Sequence, residues 1–232
     1  METDDFAAPD QGLDRVKLFE GLQADQLRAI EAQCRWLTLE PTQRALGGED
    51  RTEDIYFIVS GRVRVLNHLA DGSECLLAEL GVGDCFGELS AVDSQAHSAE
   101  VVGHETCLVA ALPTATFRGL LVEFPEVALR LIDQLSAMVR AMNARVATMA
   151  NLSPRQRVYA ELLRLAAPSP NGDGSWVIDR VPTHDELACA ASAAKQDVAM
   201  AIGALARDGL LERRHRSLVL RDQPRLRVLA NM

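Results

Sequence analysis

The segment Phe86-Gly87-Glu88-Leu89-Ser90-Ala91-Val92 has the residue types of an anion cradle. A strand end feeding one helical turn aims backbone N–H groups at an anion. Gly87 lets a ligand approach the backbone closely, and the Glu88 carboxylate is an acceptor suited to a hydroxyl. A second chemistry lies near the C-terminus, where Arg213, Arg214, Arg216, Arg221, Arg225 and Arg227 form a cationic cluster able to neutralise phosphates. The charge is split accordingly. Residues 1–150 carry 12 Lys and Arg against 24 Asp and Glu, whereas residues 151–232 carry 12 against 9, so the net charge of −9 conceals an acidic half and a basic one. Only the basic half can approach a polyanion. Glu88, His97 and the cysteines form no set of nucleophile, base and orienting group, so no enzyme is expected and no catalytic residue is assigned. The five cysteines (Cys34, Cys75, Cys85, Cys107, Cys189) are odd in number, scattered and never spaced as C-x-x-C. That pattern speaks against a disulfide framework and against a zinc or iron–sulfur site, so no metal is expected.

The elements that must position these residues follow from periodicity. With 232 residues, 48% of them hydrophobic and 25% charged, the chain has the composition of a globular protein of one large or two modest domains. No apolar run approaches the roughly 18 residues of a membrane span, and the acidic Met1–Gly12 stretch lacks a secretory pattern, so a cytoplasmic location is expected. Apolar spacing predicts a helix over Leu22–Leu37. Ile55-Tyr56-Phe57-Ile58-Val59, closed by Ser60-Gly61, and the alternating Arg62-Val63-Arg64-Val65 read as strands. Turn signals at Asp71-Gly72, Gly81-Val82-Gly83-Asp84 and Gly103-His104 then suggest a small barrel or β-roll. The segment Val127–Met149 contains no Gly or Pro and places Leu131, Leu135, Met138, Met142 and Met149 at heptad spacing, with Ile132, Val139 and Val146 repeating beside them. A stripe that wide predicts a long helix with one edge on the β-roll and the other on a second copy of the chain, along the Leu131–Met149 row. Ser153-Pro154 opens the next helix, which makes Asn151 the expected hinge. Pro168–Ser175 reads as a loop, Trp176-Val177-Ile178 as a strand, Thr183–Arg207 as two helices and Leu218-Val219-Leu220 as the second strand of a hairpin. Thr183 with Glu186 makes a capping box.

In this order the parts resemble the CRP/FNR family of bacterial transcription regulators, from about Leu18 to Ala230. The resemblance rests on Tyr56-Phe57-Ile58-Val59-Ser60-Gly61-Arg62-Val63, Gly83-Asp84-Cys85-Phe86-Gly87-Glu88-Leu89, Leu112-Pro113 with Phe117, Thr183/Glu186-Leu187-Ala188 and Gly209-Leu210-Leu211. It implies an α+β chain: an effector-binding β-roll (double-stranded β-helix) with N-terminal helices over 1–125, a dimerisation helix and hinge over 126–150, and a winged helix-turn-helix over 151–232. It further implies a homodimer on a two-fold-related site in double-stranded DNA, with contact to RNA polymerase as a further partner. The Gly87-Glu88-Leu89-Ser90 run is similar to the cassette that holds a cyclic nucleotide, cAMP or cGMP. His97-Ser98 stand where the cassette normally has arginine and Ser or Thr, and Met142 and Asn143 stand where the base would be touched. No cofactor is required; the effector is a cyclic nucleotide, a related molecule such as cyclic di-GMP, or none. The resemblance also places the recognition helix at Ala194–Ala206, after a turn at Ala191-Ser192-Ala193. DNA contacts are then expected at Thr183, Lys195, Gln196, Ala199, Met200 and the wing arginines Arg213, Arg214 and Arg216. The alternative is a nucleotide-binding module whose recognition helix contacts protein.

Overall fold

The computed structural model describes residues 12–47, 54–68, 74–170 and 174–231, and the chain divides into two compact units, Met1–Ala137 and Met138–Met232. The turn expected at Asp71-Gly72, the centre of the Pro168–Ser175 loop and all of the acidic N-terminal stretch before Gly12 lie outside the described residues.

After two 3-10 turns, Leu13–Arg15 and Lys17–Phe19, come α1 (Ala24–Glu31), β1 (Arg35–Leu39), β2 (Arg44–Leu46), β3 (Asp54–Ser60), β4 (Val63–His68) and β5 (Glu74–Leu80). There follow β6 (Cys85–Phe86), α2 (Glu88–Asp93), β7 (Glu100–Gly103), β8 (Cys107–Pro113), α3 (Thr114–Glu123) and α4 (Pro125–Asn151), which runs on into the second unit. The strands form two antiparallel sheets, ordered β1-β8-β3-β6 and β2-β7-β4-β5. The uninterrupted apolar run of β3 is explained by burial on both faces. Ile55, Phe57 and Val59 point into a core shared with Leu18, Phe19, Phe117 and Val127 of the helical segments, whereas Tyr56 and Ile58 enter the core between the sheets with Val63, Val101 and Val109.

Two expectations need correction. The helix predicted over Leu22–Leu37 ends at Glu31, and Arg35–Leu39 is a strand in register with β8 from Arg35↔Ala111 to Leu39↔Cys107. The ladder offered by β8 overrides a helical spacing that short apolar runs cannot distinguish from a strand. The stripe on α4 also divides differently. Val127 and Leu131 are buried in the core of the first unit with Leu135 packed against it, so Leu131 cannot face a second chain. The exposed row is Ile132, Val139, Met142, Val146 and Met149. Those positions are spaced by 7, 3, 4 and 3, the a/d pattern of a coiled-coil seam.

The second unit continues with α5 (Pro154–Leu165), β9 (Ala167–Pro168), β10 (Trp176–Ile178), α6 (His184–Ala190), α7 (Lys195–Arg207), β11 (Leu211–Arg214), β12 (Ser217–Leu220) and α8 (Gln223–Ala230). Helix α5 opens as its sequence requires. The Ser153 Oγ accepts from the Gln156 N–H, the Gln156 side chain accepts from the Ser153 N–H at 3.0 Å, and Pro154 begins the helix. Val158, Tyr159 and Leu162 of α5 pack with Leu187 of α6, Val198 and Leu205 of α7, Leu218 and Leu220 of β12 and Leu226 of α8. The sheet is β11-β12-β10-β9, with the β11–β12 hairpin forming a wing beside the α6–α7 pair. Among the described residues, no helix is long and apolar enough to cross a membrane.

Candidate functional site

Strand β6 delivers the cassette. Phe86 stacks on Tyr56 with ring centroids 4.9 Å apart and planes 2° from parallel, which fixes the chain just before Gly87. Gly87 takes the left-handed conformation at φ 81°, and a Cβ there would lie 2.8 Å from the Asp54 carbonyl oxygen, so both backbone and space demand glycine. Glu88 opens α2 and is buried. Desolvation pushes its carboxyl above the usual carboxylate range, against an opposing hydrogen bond from its own backbone N–H. Ser90 is buried too, and its Oγ lies 2.9 Å from His97 Nδ1. The fold thus brings Gly87, Glu88, Ser90 and His97 together, and leaves Leu89 and Ser98 exposed at the edge of the group. Met142 and Asn143 are exposed on the part of α4 that belongs to the second unit.

One cassette residue escapes sequence reading. Arg118 of α3 donates to the Ala91 carbonyl at 2.9 Å, to the Val92 carbonyl at 2.8 Å and to Ser94 Oγ at 2.8 Å. A guanidinium thus satisfies carbonyls at the C-terminal end of α2, where its charge also suits the helix dipole. No local pattern announces it, because its partners lie more than twenty positions away in sequence. His68 of β4 is engaged by Glu100 of β7 at 3.1 Å, an ordinary cross-strand contact.

In the second unit, Thr183 caps α6 and its Oγ accepts from the Glu186 N–H at 3.1 Å, so its hydroxyl is committed to the helix. Helix α7 follows the turn at Ala191–Ala194. Its inner positions Val198, Ala201, Ala204 and Leu205 are buried, whereas Lys195, Gln196, Ala199 and Met200 are exposed. Lys195 Nζ is held by Asp185 Oδ1 of α6 at 2.5 Å. In the wing, Arg213, Arg214 and Arg216 are exposed, but Arg214 pairs with Glu212 at 2.9 Å and Arg221 pairs with the same carboxylate. Together they hold the Glu212 carboxyl below its ordinary range. Arg214 is therefore partly neutralised within the wing, and Arg213 and Arg216 are left as its freer cations. Two further arginines fasten the turn. Arg157 of α5 donates to the carbonyls of Ala191 at 2.8 Å, Ser192 at 2.6 Å and Leu152 at 2.9 Å, and Arg145 of α4 donates to the Ala190 carbonyl at 3.0 Å.

The profile of the cyclic nucleotide-binding domain matches residues 38–124, and that of the Crp-like helix-turn-helix domain matches residues 156–229. The cyclic AMP receptor protein of Thermus thermophilus is 31% identical over 162 residues, covering 70% of this chain and 72% of that protein. The chain belongs to the CRP/FNR family. Over a longer span, the CRP-like cAMP-activated global transcriptional regulator of Mycobacterium tuberculosis is 24% identical, covering 94% of this chain and 97% of the relative. The c-di-GMP responsive global regulator of Xanthomonas campestris shares the fold, with a TM-score of 0.70 at 20% identity over 86% of this chain and 100% of that structure. This CRP/FNR member is accordingly a ligand-responsive, DNA-binding transcription regulator and not an enzyme. Within the family frame, α6 and α7 are the helix-turn-helix and β11–β12 is the wing, while the Gly87–Ser90 run belongs to the nucleotide-binding domain.

Proposed function

We propose that this regulator is a cytoplasmic homodimer whose β-roll takes a cyclic mononucleotide, with cyclic AMP the first candidate, and whose two helix-turn-helix units bind a two-fold-related operator. The observation that carries the effector reading is the Ser90–His97 contact beside a buried Glu88 and a left-handed Gly87. In that arrangement Glu88 accepts from a ribose hydroxyl, and His97 with Ser98 serves the phosphate in place of the family's arginine. Met142 and Asn143 meet the base, Met142 by packing and Asn143 by donating and accepting. The exposed Ile132–Met149 row supports the dimer, because five large apolar side chains at a/d spacing form a seam.

His97 favours one alternative effector. An imidazole carries charge only when protonated and lacks the fork of a guanidinium, so it grips a single phosphate less firmly than arginine does. The neighbour named as c-di-GMP responsive shows that the fold occurs with another effector. Calorimetry with cyclic AMP, cyclic GMP and cyclic di-GMP separates these cases. Cyclic AMP is expected to bind, and His97→Arg is expected to tighten it, because a guanidinium offers a phosphate two parallel donors on a permanent charge. Binding of cyclic di-GMP alone would transfer the site to that ligand, and no binding of any of the three would remove the effector reading.

For the operator, Lys195, Gln196, Ala199 and Met200 face the major groove, Thr183 holds the start of α6 at the DNA backbone, and Arg213 and Arg216 grip phosphates with Arg214 beside them. Operator binding should weaken steeply with salt, whereas a module acting through protein contacts would show flat and negligible DNA affinity.

A further inference from the structure

The outward face of α7 carries little charge for a DNA-reading surface. Gln196, Ala199, Met200, Gly203 and Arg207 recur at spacings of three and four, so they share one helix face. Burial of Val198, Ala201, Ala204 and Leu205 in the core fixes that face outward. Between Gln196 and Gly203 it holds no Lys or Arg to take guanine bidentately. Lys195, which adjoins this face, has its ammonium already paired with Asp185. What the face does present is an amide, a methyl group and a thioether, with Met200 55% exposed. Gly203 adds a second, independent sign. A Cβ built there meets nothing within 4 Å, so no packing among the described residues calls for glycine, although a mid-helix glycine weakens the helix. Its omission keeps the surface low beside Met200, which leaves room for a partner's surface to come close.

We propose that Ala199 and Met200 read the 5-methyl groups of thymines in the operator half-site, beside an adenine taken by Gln196, so that the site is discriminated at A·T pairs. This rests on the operator-binding reading. In the major groove only thymine presents a methyl group, and an apolar side chain gains by covering it. The amide of Gln196 matches the donor and acceptor pair of adenine N6 and N7. The face therefore suits the A·T code at each of its reading positions.

The test is a random-sequence selection with the full-length protein, with and without cyclic AMP, followed by titration of the selected site with single thymines replaced by uracil. Uracil removes only the methyl group. The expected result is a half-site with A·T pairs at the sensitive positions and a loss of about fourfold per methyl, the factor for exposing one methyl-sized apolar group. Met200→Ala should be indifferent to uracil at one of those thymines, and Met200→Arg should move that position to guanine. Met200 is exposed, so an unchanged thermal midpoint will show that either variant still folds. A selected site with G·C pairs opposite α7, a site insensitive to uracil throughout, or undiminished methyl sensitivity in Met200→Ala would overturn the inference and leave operator binding standing. Failure to enrich any sequence in either condition would overturn operator binding itself, and the inference with it.

Discussion

At Glu88 the fold buries a carboxylate beside Gly87, and desolvation raises its pKa. A raised folded-state pKa contributes stability that is fully present below the unfolded value and lost as pH rises through the folded value. Near neutrality the charged carboxylate is therefore a net cost to the native state. Glu88→Gln keeps the shape and removes the charge. Its thermal midpoint is expected to exceed that of the unmodified protein at pH 7, and the difference should vanish below about pH 4, where both side chains are neutral. The same variant should bind cyclic AMP more weakly by calorimetry, since an amide is a poorer acceptor for a ribose hydroxyl than a carboxylate. A midpoint that falls at pH 7 would show that the carboxylate is satisfied in the folded state by more than its own backbone N–H.

The helix-turn-helix is held by contacts that come from outside it. Arg157 satisfies carbonyls at Ala191 and Ser192 in the turn and at Leu152 just beyond α4, while Arg145 of α4 reaches Ala190. Arg157→Ala is expected to lower unfolding free energy by about 1.5–3 kcal/mol, the range for hydrogen bonds involving a charged group, in denaturant titrations. It should weaken operator binding as well, because the angle between α6 and α7 depends on the turn. Arg157→Lys should recover only part of both losses, since an ammonium cannot hold three carbonyls in the geometry of a planar fork. At Gly203 the opposite sign applies. Space is open around a Cβ there, so Gly203→Ala should stabilise the protein by roughly 0.5–1 kcal/mol while weakening DNA affinity. An alanine variant that is stabler and binds DNA equally well would mean that nothing approaches α7 closely at that position.

For the whole molecule, α4 serves two masters along one length of helix. Leu131 at 3% exposure closes the core of the first unit, and Val139 at 55% lies in the exposed row. The two should therefore fail differently when charged. Val139→Asp is expected to yield folded monomers by light scattering, with circular dichroism unchanged. Leu131→Asp buries an unpaired charge in the core and should cost roughly 3 kcal/mol or more, so that folding fails before association can be measured. Monomers from a well-folded Leu131→Asp, or dimers unaffected by Val139→Asp, would return the seam to the Leu131 row.

Local sequence signals carried the order of most of the parts and the starts of several elements. Strand β3 was legible because burial on both faces leaves an unbroken apolar run, α5 because Ser153-Pro154 is a local start signal, and Gly87 because a left-handed residue against a backbone carbonyl admits nothing else. Each of these signals is written in a short local run of sequence, although the Asp54 carbonyl that crowds Gly87 comes from a distant strand. The tertiary structure decided what depends on contacts far apart in sequence. It made Arg35–Leu39 a strand by supplying β8 as a partner, and turned Leu131 inward while leaving Val139 outside. It also placed Arg118 on the end of α2 and Arg157 on the helix-turn-helix, and paired Arg214 with Glu212. A heptad row records that two faces of a helix are apolar, but which face the core takes first is settled by packing. An arginine reads the same in sequence whether its charge meets a phosphate, a carboxylate or the carbonyls of a helix end, because that choice depends on which groups the fold brings within reach.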